Sequence, residues 1–306
     1  MATQGTLIRA TDFNTLQTQV SDLLGSGSAS FGYGQSVASS QVTAFTDEIT
    51  ALQWATLKSD ILKIAAHQGN SADPIITAIP VVAQYAEIGH NDITNFETAV
   101  PFLSANRFAL AEYSDETFNP VITNSRNTPW GAPDKPVVRH SFTIDFGSAD
   151  NARYFFNTGG QIRMSATLIP DVVTSQNTNW SNLLSYMGTI VYNYNGTTAA
   201  AGTGSSIGYY SLTNIAQQVF TKTGAGAYTD HYNANDYLIT MSCDVANNST
   251  GTARYLYVAI YFNDEHTGVS DSVTGILTSE VSIRRATGSH VEVVKPTATN
   301  TILLTS

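Results

Sequence analysis

Between residues 137 and 168 apolar and polar side chains alternate with little interruption, and that pattern leaves few folds open. Val138, His140, Phe142, Ile144 and Phe146 fall on one side of an extended segment. Arg139, Ser141, Thr143 and Asp145 fall on the other. A period of two marks a strand with one face in a core. Ile162, Met164, Ala166 and Leu168 repeat it against Arg163, Ser165 and Thr167. Between the two runs stand Tyr154, Phe155 and Phe156, then Asn157-Thr158-Gly159-Gly160, whose glycines supply the positive φ of a tight reversal. The stretch reads as strand, turn, strand, Gly-Gly turn, strand, and it opens a β-rich domain.

That domain continues to the end of the chain. Further strands are expected over residues 187–194, 207–212, 216–221, 228–232, 237–245, 253–262 and 273–284, with one short helix over 180–186. About ten strands at irregular spacing suit an antiparallel β-sandwich of the jelly-roll kind. Tyr255, Tyr257, Ala259 and Tyr261 alternate with Leu256, Val258, Ile260 and Phe262, so both faces are apolar or aromatic. Such a strand is central in its sheet or covered by a partner chain.

The front of the chain has another period. Residues 8–23 align with residues 49–64 at a constant offset of 41. Phe13, Leu16, Val20 and Leu23 are spaced 3, 4 and 3 apart, as are Trp54, Leu57, Ile61 and Ile64. Each set forms one stripe on a helix. Thr11 or Asp12 is placed to cap the first helix and Gly25 to end it; Thr50 and Gly69 do the same for the second. Two readings follow: the stripes pack on each other within one chain, or they form a docking and oligomerisation seam between protomers, since this is also coiled-coil spacing. Ile93, Phe96, Val100 and Leu103 repeat the stripe beside a Thr94/Glu97 capping pattern, while Pro80 and Pro101 are expected to break or kink their segments. Phe31 and Tyr33 in the Gly/Ser-rich stretch between the copies imply that it lies on something. The fold class is therefore α+β: a helical region over 1–113, a Pro-rich linker over 114–136 and a β-sandwich over 137–306.

Composition narrows the function. Charged residues are only 12% and the formal net charge is −10. With no basic run to neutralise a phosphate backbone, nucleic-acid binding is not expected. No apolar run spans a membrane, and no secretory signal or cofactor motif is visible, so the expectation is synthesis in a cytoplasm without export. Cys243 is the only cysteine and reads as a buried strand residue. The six histidines show no metal-ligand spacing. Asp264, Glu265 and His266, with Asp271 nearby, form the densest polar cluster and read as a solvated hairpin loop rather than a cation site. Asp236 and Asp244 are carboxylates of the type glycoside hydrolysis needs. Tyr192, Tyr194, Tyr209 and Tyr210, set among Asn, Ser and Gly, are candidate ligand contacts for a sugar or protein partner, or else core. Sequons at Asn179, Asn195 and Asn248 carry no meaning without export.

The segment YFFNTGGQIRMSATL resembles one found in structural proteins of tailed bacteriophages, cyanophage-like myoviruses in particular. The matching residues are Tyr154, Phe155, Phe156, Asn157, Gly159, Gly160, Ile162 and Arg163. Arg126 to Gly131 fit the pattern less tightly, and the resemblance spans roughly residues 1–170. It implies a non-enzymatic virion protein, a fibre-like tail or neck appendage that docks by its helical part and projects the sandwich. Its partners would be itself, as a homotrimer, and other virion proteins. An adhesin for host surface polysaccharide and a capsid decoration protein are the alternatives.

Overall fold

In the computed structural model, which describes residues 9–43, 49–84, 88–131, 137–224, 234–265 and 272–305, the duplicated stripe becomes two helices, α1 (Ala10–Leu24) and α2 (Ala51–Gln68). Thr50 and Gln53 cap α2 reciprocally, and Gly69 ends it at φ 78°. For α1 the cap is Arg9, whose amide donates to the Asp12 carboxylate at 3.1 Å, and Gly25 closes the helix. A short α3 (Pro74–Thr77) starts on Asp73 with proline in its first turn. α4 (His90–Ala105) begins at Gly89, whose amide donates to Asp92 at 2.9 Å. Thr94 and Glu97 therefore lie inside α4 instead of capping it. The helix also runs through Pro101, which removes one ladder bond without ending the element.

The seam between protomers is not what these stripes build. Phe13, Leu16, Val20, Leu23, Trp54, Leu57, Ile61 and Ile64 are all buried within one chain. Phe13 meets Trp54 edge-on at 5.0 Å, and Trp54 meets Phe96 at 4.8 Å. The third stripe, Ile93, Phe96, Val100 and Leu103, is buried with them and supplies the apolar surface that two helices alone lack. Burying each large side chain is worth about 1.5–3 kcal/mol, so three stripes close a core without a partner.

Contacts divide the chain into two units, and the division is not colinear with the sequence. The first takes the chain up to Ser114, together with Arg153–Gly160 and Arg285–Val294. The Tyr-Phe-Phe segment thus belongs with the helices. It is also helical itself: α5 (Ala149–Asn157) replaces the expected strand. Ser148 Oγ accepts from Asn151 N at 3.1 Å, and Ala152, Phe155 and Phe156 fall at helical spacing and are buried. Gly160 N donates back to Phe155 O at 2.8 Å. Asn157 donates to Gly32 O at 3.0 Å, and the Tyr154 ring occupies the space where a side chain at Gly34 (φ 71°) would stand. The Gly/Ser-rich stretch is thereby laid against the unit's core. Within it Tyr33 is buried, and its hydroxyl donates to Arg107 O at 2.6 Å.

The second unit, Asp115–Ala152, Gln161–Arg284 and Lys295 onward, holds two antiparallel six-stranded sheets. Its strands are β1 (Tyr113–Thr117), β2 (Thr123–Arg126), β3 (Val137–Asp145), β4 (Gln161–Ile169), β5 (Ile190–Asn193), β6 (Gly196–Thr198), β7 (Thr203–Gly204), β8 (Gln217–Thr223), β9 (Asp236–Cys243), β10 (Tyr255–Asn263), β11 (Ile276–Ala286) and β12 (Thr297–Thr305). One sheet runs β1-β11-β4-β5-β6, with β2 also on β11; the other runs β12-β3-β10-β9-β8-β7. The fold is α+β with a β-sandwich. Its inner faces are the alternating sets read from sequence, Val138, Phe142 and Ile144 on β3 with Ile162 and Met164 on β4, joined by Leu256, Val258, Ile260 and Phe262 on β10 and by Val281 and Ile283 on β11. His140 Nδ1 and Ser279 Oγ make one polar link at 2.8 Å between the sheets.

α6 (Ser175–Met187) lies on β4 and stacks Trp180 against Trp130 at 4.9 Å. Met187 ends this helix and does not begin a strand. Residues 209–211 form a 3-10 turn where a strand was expected, and residues 228–232 lie outside the described residues. The segment read as a linker instead carries β1 and β2. Arg284 grips Asp115 through two hydrogen bonds at 2.6 and 2.7 Å, which holds β1 to the sheet.

Candidate functional site

The four tyrosines named from sequence do not form a surface site. Tyr192 and Tyr209 are buried, the latter donating to Ala253 O at 2.8 Å, and burial drives both phenols up from their ordinary value. Tyr194 and Tyr210 are half-buried. The period-2 pattern of Ile190 and Tyr192 against Val191 and Asn193 already places Tyr192 inward. Asp236 and Asp244 stand at opposite ends of β9, about 26 Å apart at ~3.3 Å per residue, far beyond the spacing of a glycosidase pair. Asp236 accepts instead from Thr221, Thr223 and Asn263, and Asp244 from the amides of Arg254 and Tyr255.

Asp264 is buried, not solvated. With the Asn235 amide nitrogen turned toward it, Asn235 donates to Asp264 Oδ1 at 2.9 Å and accepts from Trp180 Nε1 at 3.1 Å. His266 and Asp271 lie outside the described residues, and among those described no group of three His, Cys, Asp or Glu side chains is set to hold a metal. Cys243 is buried, with its thiol pushed up by desolvation. Asn179 and Asn248 are buried too, and Asn248 bridges Tyr209 O and Ala253 N.

What the fold does assemble is the outer face of the β12-β3-β10-β9-β8 sheet. The register sets Thr143, Tyr257 and Ser242 side by side on β3, β10 and β9. One step along, Thr301, Ser141, Ala259 and Thr240 form the next row across four strands. Ala259 is the only one of these without a polar or aromatic group, and it lies between Tyr257 and Tyr261 on the same strand. The result is a concavity of about 360 Å³ lined by Arg139, Ser141, Thr143, Thr240, Ser242, Tyr257 and Thr301 among others. It crosses the strands from β12 to Ala216 at the start of β8, a span of roughly 19 Å at ~4.8 Å per strand.

Tyr257 is 41% exposed and lies parallel to Tyr255 at 6.4 Å, with 10° between the rings. The Arg139 guanidinium sits 5.5 Å over the Tyr261 ring. Among the described residues it has no carboxylate partner, and its Nε makes no hydrogen bond; Ser141 Oγ is likewise unpartnered. By contrast Arg254 is bound to Asp145 through two bonds of 2.7 Å, which holds that carboxyl below its usual range.

Comparison with protein-family models, curated proteins and solved structures gives no match. A second surface feature lies at one end of the sandwich. Ile169 and Ile276 are directly paired across β4 and β11, and Val172 and Val173 follow in the next loop. All four are exposed, Ile169 to 65% and Val173 to 93%. Sequence reading missed this group because two of its members stand in a loop and the pairing of the other two depends on register.

Proposed function

We propose that this chain is a non-enzymatic structural component of a tailed-phage virion, a fibre-like appendage of tail or neck that assembles as a homotrimer. The observation that carries the assembly part is the exposed apolar pair Ile169 and Ile276, neighbours across β4 and β11, with Val172 and Val173 exposed just beyond the end of β4. Contiguous exposed apolar surface marks an interaction site in proteins that are otherwise polar outside. The phage part rests on the resemblance of the Tyr154–Arg163 segment. The helical unit uses its stripes for its own core, so contact with sister subunits falls to the sandwich. No helix among the described residues is long and apolar enough to cross a membrane.

The test is protein composition. Density-purified particles of the source phage are expected to contain this chain at a fixed copy number that is a multiple of three. Its absence from the particles, with the protein left in the cleared lysate, overturns the proposal.

A further inference from the structure

We infer that the groove across the outer face of the β12-β3-β10-β9-β8 sheet binds a carboxylate-bearing polysaccharide, with Tyr257 as stacking platform and Arg139 as anion anchor. The groove's chemistry selects the ligand. Its lining hydroxyls, on Ser141, Thr143, Thr240, Ser242 and Thr301, each donate and accept, which matches the same dual capacity of sugar hydroxyls. An exposed tyrosine ring presents a flat π face to the C–H face of a pyranose, and loses little side-chain entropy in doing so. Ala259 keeps the floor low, so a chain can lie across the strands.

Arg139 narrows the class. An arginine held over an aromatic ring, with no carboxylate partner among the described residues, has its Nη donors available, and planar carboxylates fit them. The chain carries a net charge of −10, so general attraction of polyanions is not at work and recognition must be local. A span of roughly 19 Å, four strand spacings of ~4.8 Å, suits an oligosaccharide better than a single sugar.

The site is separate from the apolar group that carries the assembly reading, so the two stand or fall independently. The experiment is affinity electrophoresis and titration calorimetry of the full chain with oligogalacturonate and, as the neutral chain, a cello-oligosaccharide of equal length. Wild type is expected to bind the uronate chain more tightly than the neutral one. Tyr257→Ala is expected to weaken both by at least about tenfold, the order of one stacking contact. Arg139→Gln is expected to weaken only the uronate chain, by about tenfold or more. Ala259→Leu, which fills the groove floor from outside the core, is expected to abolish binding while the melting temperature holds, and it keeps the test valid should Tyr257→Ala fold poorly. Absence of binding to either chain, or equal affinity for both that Arg139→Gln leaves unchanged, overturns the proposal. So does loss of the oligomer on Tyr257→Ala, which would make this face a contact between copies of the chain.

Discussion

At the scale of single residues the side chains with the most at stake are buried ones. Truncating Trp54, which touches both Phe13 and Phe96, removes the hub of the three-stripe core. Trp54→Ala is expected to cost about 3–5 kcal/mol in denaturant unfolding while leaving the oligomeric mass of the folded protein unchanged. A loss of oligomer without loss of stability would return these residues to an interface. His67 and His140 are the second case. Burial lowers both to about 4, against 6.5 for the free imidazole. Between those values the unfolded chain takes up a proton that the folded chain refuses. The contribution is thus fully present above pH ~6.5 and is lost as pH falls toward 4, by up to about 3 kcal/mol for each group. Thermal melts at pH 7 and 4.5 measure it, and His140→Gln should flatten part of the slope. A melting temperature constant over that range contradicts neutral buried imidazoles.

Among the elements, α5 is the most instructive. Three aromatics before an Asn-Thr-Gly-Gly reversal point to a strand here, since aromatics favour strands. Ser148 as cap and the i, i+3, i+4 spacing of Ala152, Phe155 and Phe156 carry the competing helical signal in the same nine residues. Ser148→Ala is expected to lower stability by about 1 kcal/mol, seen as a shift of the urea midpoint; no shift would show that tertiary packing alone sets the helix. The long strands β3, β4, β9, β10 and β11 were legible because one face of each meets a core, and alternation records that. β12 was not, since its Thr-rich sequence places polar groups on both faces, and β1 and β2 are short, with β2 set between Pro120 and Pro129. The groove was illegible for another reason. Tyr257 is visible in sequence as facing away from the core, but its neighbours Thr143, Ser242 and Thr240 come from strands whose register no local pattern states. The Asn, Ser and Gly around Tyr192, Tyr194, Tyr209 and Tyr210 suggest an exposed site, whereas the short alternation around Tyr192 marks an inward side chain.

For the whole molecule, the surfaces that stabilise the fold are distinct from the one proposed for assembly. Each unit encloses its own core, so the folded protein does not need a partner to bury its stripes. The proposed contact between copies falls on Ile169, Val172, Val173 and Ile276, which are exposed in the folded chain. One charge placed there should prevent association and leave folding intact, because Val173 is almost wholly solvent-facing. Static light scattering on the purified protein at micromolar concentration, wild type beside Val173→Asp, is the most direct test. The predicted result is three times the chain mass for wild type and a single chain mass for the variant, with equal melting temperatures at a concentration too low for the wild type to associate. A wild-type protein that scatters as one chain would contradict the account.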